Sequence, residues 1–347
     1  MSRSPLFDMP APHSGRTVDS DRVRGMMLGL AIGDSLGNTS ESMNPPDRRR
    51  YYGEIRDYLP NSYAGGRPVG LPSDDTQLAF WTLEHLLENG GRLSPERLAE
   101  IFCRRRIFGM GRTVRAFREA YAAGAPWYDA AVASAGNGAL MRIAPILLPH
   151  LRGGGFGRWA DTALCGAITH NDRSSIGACV AFINILSKLL TADRTPPPAW
   201  WVDEYVLVAE PIERGGRYRS RSSTFNDFEG AASAFVKQHV PMAIRSANTS
   251  VSWCNSWYSG AFLPETVPSV LLTLARYGGD PEATIVRAVN DTRDNDTVGA
   301  IVGAAVGALH GEQALPIRWR KGLLGRTAAN DDGRVQALLE AAGEHFL

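Results

Sequence analysis

Two short acidic segments each stand at the start of a helical stretch. Ser-Asp-Asp-Thr occupies residues 73–76, and Asp-Asn-Asp-Thr occupies residues 294–297. One carboxylate at a helix N-terminus is common, because it accepts hydrogen bonds from free N–H groups and faces the positive end of the helix dipole. Two acids and a hydroxyl, occurring twice, exceed what capping requires, so the segments predict a divalent metal site. Oxygen ligands suit Mg²⁺, Ca²⁺ or Mn²⁺, and the sequence has no matching His and Cys set that would indicate zinc.

A third acidic position lies in the glycine-containing turn GDSLGNTSE, residues 33–41. Asp34 and Glu41 stand near the two ends of this turn, where a carboxylate could serve as a general base. It could equally be an ordinary loop acid. The turn by itself leaves both alternatives open.

Two further segments hold candidate ligand contacts. SAGNGALMRIAP places Asn137 between Gly136 and Gly138, and glycines allow backbone N–H groups to approach an anion closely. The spacing is not that of a P-loop or of GxGxxG, so the motif alone indicates a tight turn. AITHND places His170 after an apolar helical stretch, where a lone histidine is more often a structural hydrogen-bonding residue than a ligand.

The composition excludes several classes of protein. The 347 residues are 44% hydrophobic and 21% charged, and the net charge is +1, so no overall field favours nucleic acid or acidic membranes. The four cysteines form no CxxC pair and fit reduced thiols. The sequence shows no signal-peptide pattern and no apolar run long enough to span a bilayer. We therefore expect a cytoplasmic protein that contacts neither nucleic acid nor a membrane.

Helices are the elements that must position these motifs. Apolar residues recur at helical spacing from Ser20 to the 33–41 turn and again after residue 73. Period-two alternation is scarce, and residues 204–211 (EYVLVAEP) are the best strand candidate. The pattern predicts an all-α domain at residues 19–347 behind a flexible arm at residues 1–18. Further helices are predicted near residues 95–107, 112–123, 128–135, 159–169, 174–192, 228–238, 266–277, 281–290, 297–310 and 334–343.

Loop insertions are predicted near residues 191–228. The first part, TADRTPPPAWW, is rich in proline, and residues 213–228 are rich in glycine, serine and arginine. One interpretation of the second part is a solvated surface loop. The other is a loop that faces a substrate or partner, because arginine suits phosphate and carboxylate recognition. Its arginines are Arg214, Arg217, Arg219 and Arg221.

Four segments together resemble the ADP-ribosylglycohydrolase family: RGMMLGLAIGDSLGNTSE, SDDTQLAFWTLEHLL, GNGALMRIAP and AVNDTRDNDTVGAIVGAAVGALHG. AITHND supports the match. The segments run from residue 24 to residue 311, and the DDT and DxDT motifs at this separation are quite specific. The resemblance implies a single compact all-α domain with a central cleft that binds ADP-ribose and two Mg²⁺ ions, or Mn²⁺.

The resemblance also implies a role for each motif residue. Glu41 would be the catalytic acid and base, and Asp34 would assist catalysis by supporting the metal site. The residues that would ligate the metals are Ser73, Asp74, Asp75, Asp294, Asp296 and Thr297. The residues that would contact ADP-ribose are Asn137, Gly138 and His170, together with either Tyr258 or Phe262 as the aromatic that stacks on adenine.

One segment departs from the family's pattern. Where the type member has an aspartate that assists hydrolysis of the arginine linkage, FGMGRT offers Gly109 or Met110, which shifts the acid and base role to Glu41. Asp291 lies outside the DxDT spacing and is expected to stand outside the site. The small residues of VGAIVGAAVG would let their helix pack tightly enough to bring the two acidic helix starts together.

The resemblance implies a metal-dependent hydrolase that removes ADP-ribose from a modified protein side chain, with arginine as the expected linkage. Its transition state would resemble an oxocarbenium ion. The alternative is an immunity or ADP-ribose-binding protein that neutralises an ADP-ribosyltransferase toxin by direct contact. A prenyl-diphosphate enzyme is excluded, because that chemistry requires DDxxD, and DDTQLAF places Leu78 and Ala79 where the later acid belongs.

Overall fold

The computed structural model describes residues 18–152 and 157–347. Its strands pair as two antiparallel ribbons of two residues per strand, so the all-α prediction is confirmed. The strands are β1 (Pro60–Asn61), β2 (Arg67–Pro68), β3 (Tyr218–Arg219) and β4 (Glu229–Gly230). The helices are α1 (Ser20–Gly37), α2 (Pro45–Tyr52), α3 (Asp74–Glu88), α4 (Pro95–Arg104), α5 (Arg112–Ala122), α6 (Trp127–Ala130), α7 (Gly157–Ala167), α8 (Arg173–Leu189), α9 (Pro198–Ile212), α10 (Ala232–Arg245), α11 (Ser250–Ser256), α12 (Leu263–Tyr277), α13 (Pro281–Asp291), α14 (Asn295–His310), α15 (Ile317–Gly322) and α16 (Arg334–Phe346).

Helices α1 and α14 cross at backbone contact in the centre of the fold. A Cβ atom added to Gly29 would lie 2.1 Å from the carbonyl oxygen of Gly303, so a side chain at this position would collide with the other helix. The contact continues to the end of α1, where a Cβ on Gly37 would lie 2.5 Å from the Cα of Asp296. The helices run antiparallel, and the last turn of α1 therefore meets the first turn of α14. The glycines that make the contact are Gly25, Gly29, Gly33 and Gly37 on α1 and Gly299, Gly303 and Gly307 on α14.

The α1–α14 pair is the centre of a single compact core. Every residue of α14 up to Leu309 is buried, and α3, α8, α12 and α13 pack around it. Most buried apolar side chains join one continuous cluster, which places the acidic helix starts at the edge of a rigid core. Within the described residues, no helix is both long enough and apolar enough to cross a membrane.

The predicted strand at residues 204–211 is wrong. These residues belong to α9, which packs between α8 and α10. Trp201, Tyr205 and Val208 are buried at helical spacing, and this packing outweighs the strand preference of Tyr and Val. Much of the segment predicted as loop insertions is therefore helical.

Two predicted helices have different limits in the structure. Helix α6 ends at Ala130 rather than residue 135, because Val132 bonds instead to the backbone around His170. Helix α10 begins at Ala232 rather than residue 228, because β4 pairs with β3. Helices α2, α11 and α15 were not predicted. Of the predicted arm, residues 1–17 lie outside the described residues.

Candidate functional site

Three helix ends converge on one cleft of about 270 Å³. The last turn of α1 carries Asp34, and the first turns of α3 and α14 carry the two acidic segments. Most of the predicted site residues line this cleft: Glu41, Asp74, Asp75, Asn137, Gly138, His170, Phe262, Asp294, Asp296 and Thr297. Asp34, Ser73 and Tyr258 are not among its lining residues.

Asp34 is a fully buried carboxylate that caps α3 from outside that helix. Its Oδ2 accepts hydrogen bonds from the backbone nitrogens of Ser73, at 2.9 Å, and Thr76, at 3.1 Å. The Thr76 hydroxyl also donates to Oδ2, while the Ser73 hydroxyl and Asn38 Nδ2, at 3.0 Å, donate to Oδ1. Burial raises the pKa of Asp34, against the opposing effect of these hydrogen bonds. Asp34 thus fixes the start of α3 relative to α1, and the Ser73 hydroxyl is bonded to Asp34 rather than directed into the cleft.

Carboxylate oxygens form two groups that share Asp296. Oxygens of Asp34, Asp75 and Asp296 lie within 4.8 Å of one another, and oxygens of Glu41, Asp294 and Asp296 do the same. Burial, together with the charges of neighbouring acids, holds the pKa of Asp74, Asp75 and Asp296 well above the ordinary value. This arrangement is costly unless protons or cations neutralise it.

The donor set fits divalent cations. Asp75 Oδ1 is buried and has no hydrogen-bond partner among the described residues. A buried acceptor without a partner costs free energy, and coordination of a cation by this oxygen would remove that cost. Across residues 18–152 and 157–347, the ion pairs of Arg and Lys are made with other acids, such as Glu84, Glu204 and Glu265. The acidic floor of the cleft is formed by the carboxylates of Asp34, Glu41, Asp74, Asp75, Asp294 and Asp296. No cationic side chain of the described residues forms an ion pair with this floor.

Asp294 and Glu41 stand on the side of the floor nearer the cleft opening. Burial raises the pKa of Asp294 to about 6, although Asn137 Nδ2 donates to its Oδ2 at 2.5 Å. The Glu41 side chain is exposed, yet loss of hydration around its carboxylate and the charges of Asp294 and Asp34 raise its pKa to about 7. Glu41 therefore combines access to solvent with a pKa close to neutrality.

His170 is a buried, neutral imidazole that packs against Gly136 and Gly138 in one wall of the cleft. Burial and the charge of Arg142 lower the pKa of His170 to about 3. The Thr169 hydroxyl accepts from Arg142 at 2.9 Å and lies 2.8 Å from His170 Nδ1, with which it shares a hydrogen bond. The neutral ring carries one proton, and its other nitrogen is an acceptor. A Cβ on Gly138 would lie 2.8 Å from the ring, so glycine is required for this approach.

The backbone joins this wall to the start of α12. Gly136 forms an antiparallel bridge with Phe262, and Leu263 N donates to Ala135 O at 2.9 Å. Phe262 consequently lines the cleft beside this wall. Tyr258 is 40% exposed outside the cleft lining, where the Arg293 guanidinium lies 4.3 Å from its ring centroid. Of the two aromatic candidates, the structure brings Phe262 to the site.

A family model described as ADP-ribosylglycohydrolase matches residues 16–345. The chain belongs to the ADP-ribosylglycohydrolase family. It is an enzyme, a glycohydrolase that releases ADP-ribose from modified targets, as the resemblance predicted.

Named relatives and a solved structure agree with this assignment. The glycohydrolase is 27% identical over 334 residues to the ADP-ribosyl-dinitrogen reductase glycohydrolase of Rhodospirillum rubrum, covering 93% of this chain and 97% of that protein. It is 25% identical over 316 residues to the ADP-ribosylarginine hydrolase Tri1 of Pseudomonas putida, covering 86% and 73%. The structure of an ADP-ribosylglycohydrolase-related protein complex matches with a TM-score of 0.68 at 27% identity, covering 94% of this chain and 99% of that one.

Sequence reasoning missed Arg48, which connects the loop that carries Glu41 to the segment just before Asp294. Arg48 lies on α2 and is fully buried. Its Nη1 donates to the carbonyls of Val289, at 3.0 Å, and Thr292, at 2.6 Å, just before Asp294. Its Nη2 donates to Met43 O at 2.9 Å, in the loop that carries Glu41. Nothing in PPDRRRYY distinguishes Arg48 from the exposed arginines that follow it.

The segment that departs from the family's pattern presents backbone to the cleft. Gly109 and Gly111 line the cleft, and a Cβ on Gly109 would lie 3.4 Å from Asp74 Oδ1. The Met110 sulfur contacts Arg118 Nη1 at 3.5 Å. Asp74 therefore adjoins this part of the cleft lining.

Asp291 stands apart from the cleft, as predicted. It accepts a hydrogen bond from Ser250 Oγ at 2.5 Å and pairs with Arg287 at 3.4 Å. It does not appear among the residues that line the cleft. Its contacts join α11 to α13, which is a structural role.

Proposed function

We propose that this glycohydrolase is metal-dependent and removes ADP-ribose from an ADP-ribosylated protein side chain, with arginine as the linkage. The observation that carries the proposal is the position of Asp296, which has an oxygen within 4.8 Å of an oxygen of Asp75 and one within 4.8 Å of an oxygen of Asp294. A carboxylate shared in this way fits two neighbouring divalent ions.

The residues that would hold the ions come from the two acidic segments. Asp34 and Ser73 would act through the start of α3, which they fix. When bound, the ions would orient ribose hydroxyls and lower the pKa of a bound water. Oxygen-rich sites accept both Mg²⁺ and Mn²⁺, so the proposal covers either ion. The direct ligands would be Asp74, Asp75, Asp294, Asp296 and Thr297.

Glu41 is placed to transfer a proton from the attacking water to the departing nitrogen. It reaches solvent at the cleft opening while its carboxylate faces Asp294 and Asp296. In hydrolysis, water adds to C1″ of the distal ribose, the bond from C1″ to the side-chain nitrogen breaks, and that nitrogen gains a proton. Glu41 would accept the proton of the attacking water and return it to the departing nitrogen. The acidic floor would stabilise positive charge as it develops on the ribose ring.

The wall formed by residues 136–138 and His170 would bind the rest of the ligand. Backbone N–H groups around Gly138 would donate to ribose or phosphate oxygens, beside the imidazole of His170. Phe262 offers an aromatic face for the adenine ring. Asn137 would support this wall from the metal side, because its amide already donates to Asp294 and, at 3.0 Å, to Thr266 Oγ1.

The acidic cleft favours arginine as the side chain that carries ADP-ribose. A guanidinium is cationic, and the cleft floor, where Glu41 and Asp74 stand, is acidic. The relative named ADP-ribosylarginine hydrolase spans most of the chain at 25% identity, which favours the same linkage here.

The expected partner is an ADP-ribosylated protein. Nothing observed on residues 18–152 and 157–347 favours the alternative of a protein that blocks a toxin by contact. Location in the cytoplasm stays a prediction.

Release of ADP-ribose from model substrates tests the proposal. Purified protein is incubated with arginine-, serine- and DNA-linked ADP-ribose, in EDTA and in Mg²⁺ or Mn²⁺, and free ADP-ribose is quantified. We expect release from the arginine-linked substrate in the presence of the metal. Equal release in EDTA would refute metal dependence, and release from the serine- or DNA-linked substrate alone would refute the arginine linkage.

A further inference from the structure

Arg221 differs from the other arginines of its loop. Its side chain lines the cleft, and its Nε and Nη2 donate to the two carboxylate oxygens of Glu265, both at 2.8 Å. Glu265 is 1% exposed on α12. Arg217 and Arg219 instead pair with Glu229 on the outer surface, where their side chains are 82% and 80% exposed. The loop thus delivers one anchored guanidinium to the cleft.

The Arg221 guanidinium keeps a second donor edge. A guanidinium has five N–H groups in a fixed plane, and Glu265 takes one from Nε and one from Nη2. The other N–H of Nη2 and the two of Nη1 remain, and no acceptor within the described residues bonds to Nη1. Since the side chain is 48% exposed, this edge is accessible. Two adjacent N–H groups match two oxygens of a phosphate.

Aromatic rings hold the guanidinium in position. Its Cζ lies 5.1 Å from the ring centroid of Phe262 and 5.7 Å from that of Tyr258. The carboxylate of Glu265 is held in turn by Gly260 N, 3.2 Å from Oε2. Fixing the side chain before a ligand arrives lowers the entropy lost on binding.

We propose that Arg221, held by Glu265, binds the diphosphate of the nucleotide ligand and selects ligands that carry it. This inference rests on the proposed function. Arg221 and Phe262 come to the cleft beside the Gly136–Gly138 wall, against which His170 packs. A nucleoside diphosphate linked to ribose would place its phosphates between Arg221 and that wall, with its base near Phe262.

Calorimetry with ADP-ribose and with ADP, at a constant Mg²⁺ concentration, tests the assignment. Because Arg221→Gln removes a pair of charge-assisted hydrogen bonds, we expect its affinity for each ligand to fall about 10- to 100-fold. Arg219→Gln, in the same loop, serves as the matched control and should bind both ligands as the wild type does. Unchanged affinity of Arg221→Gln for ADP-ribose would overturn the inference, and so would a loss confined to ADP-ribose, because it would place Arg221 on the distal ribose.

Two further variants separate direct binding from structural support. Arg221→Gln combined with Glu265→Gln removes both charges, so no unpaired buried carboxylate remains, and the same loss is expected. In a Phe262→Ala background, Arg221→Gln should still weaken ADP-ribose about 10-fold; no additional loss would show that Arg221 acts only through Phe262. A wild-type protein that fails to bind ADP-ribose refutes the proposed function as well, whereas tight wild-type binding matched by Arg221→Gln refutes this inference alone.

Discussion

Gly29 on α1 and Gly303 on α14 are in backbone contact. A Cβ on Gly29 would lie 2.1 Å from Gly303 O, and a Cβ on Gly303 would lie 2.0 Å from Gly29 O. Neither clash involves a flexible side chain that could move. Because this contact sets the crossing of the two helices, it also brings Asp34 to the start of α14.

Gly303→Ala should therefore destabilise the protein, even though alanine is the better helix former. Overpacking typically costs about 1–3 kcal/mol or more, and here the clash is with backbone. Gly343→Ala, on α16, is the matched control, because a Cβ at Gly343 would meet no atom within 4 Å. This variant should raise the free energy of unfolding by about 0.5–1 kcal/mol. Urea unfolding measures both changes. Equal stability of the two variants would show that the helices can separate without cost.

Arg48→Ala should lower the free energy of unfolding by roughly 3 kcal/mol or more, because five backbone carbonyls lose a donor. The hydrogen bonds to Ser40, Val289 and Thr292 are buried, and those to Met43 and Arg293 are partly buried. Arg50→Ala, on an exposed position of the same helix, should change stability little. Denaturant unfolding followed by circular dichroism compares them, and matched midpoints would contradict the role given to Arg48.

Glu41→Gln should remove most turnover and leave ADP-ribose binding intact. The substitution keeps the shape of the side chain and removes its capacity to accept a proton. Turnover is measured as ADP-ribose release, and binding by calorimetry. A variant that turns over normally would exclude Glu41 as the acid and base, and one that no longer binds ADP-ribose would place Glu41 in ligand binding instead.

Stability in EDTA should fall as the pH rises. The pKa of Asp294 is raised from 3.8 to about 6 and that of Glu41 from 4.5 to about 7, so the folded state holds these protons more tightly than the unfolded chain. Their contribution is complete below pH 4 and is lost as the pH passes through about 7. Added Mg²⁺ should oppose this loss by displacing protons from the site.

Thermal unfolding at several pH values, with EDTA or Mg²⁺, checks that dependence. Asp294→Asn should show a smaller decline than the wild type in EDTA. The wild-type melting temperature could instead rise between pH 5 and pH 7 in EDTA by as much as it does in Mg²⁺. That result would contradict the raised pKa values of Asp294 and Glu41.

The structure brings most of the site residues predicted from the sequence to one cleft, and their roles stay predictions. The repeated pattern of two acids and a hydroxyl identifies helix starts because capping and ligation both depend on local spacing. Phe262 could not be separated from Tyr258, since the choice depends on the backbone bridge between Phe262 and Gly136. Arg48 and Arg221 could not be identified either, because their partners lie far away in the chain.

The strand predicted at residues 204–211 was wrong for a similar reason, because packing against other helices decided its structure. The local preference of Tyr and Val favours a strand, but the segment packs as a helix between α8 and α10, with its apolar residues buried at helical spacing. The glycines of α14 were predicted to allow close packing, and their partner, α1, became clear only in three dimensions.

Titration of Mg²⁺ into EDTA-stripped protein tests the central claim most directly. The wild type should bind two ions per chain, and Asp296→Asn, which alters the carboxylate shared by both groups, should bind them at least about 10-fold more weakly and lose ADP-ribose release. Wild-type protein that binds no Mg²⁺ or Mn²⁺ yet releases ADP-ribose at full rate in EDTA would contradict the claim.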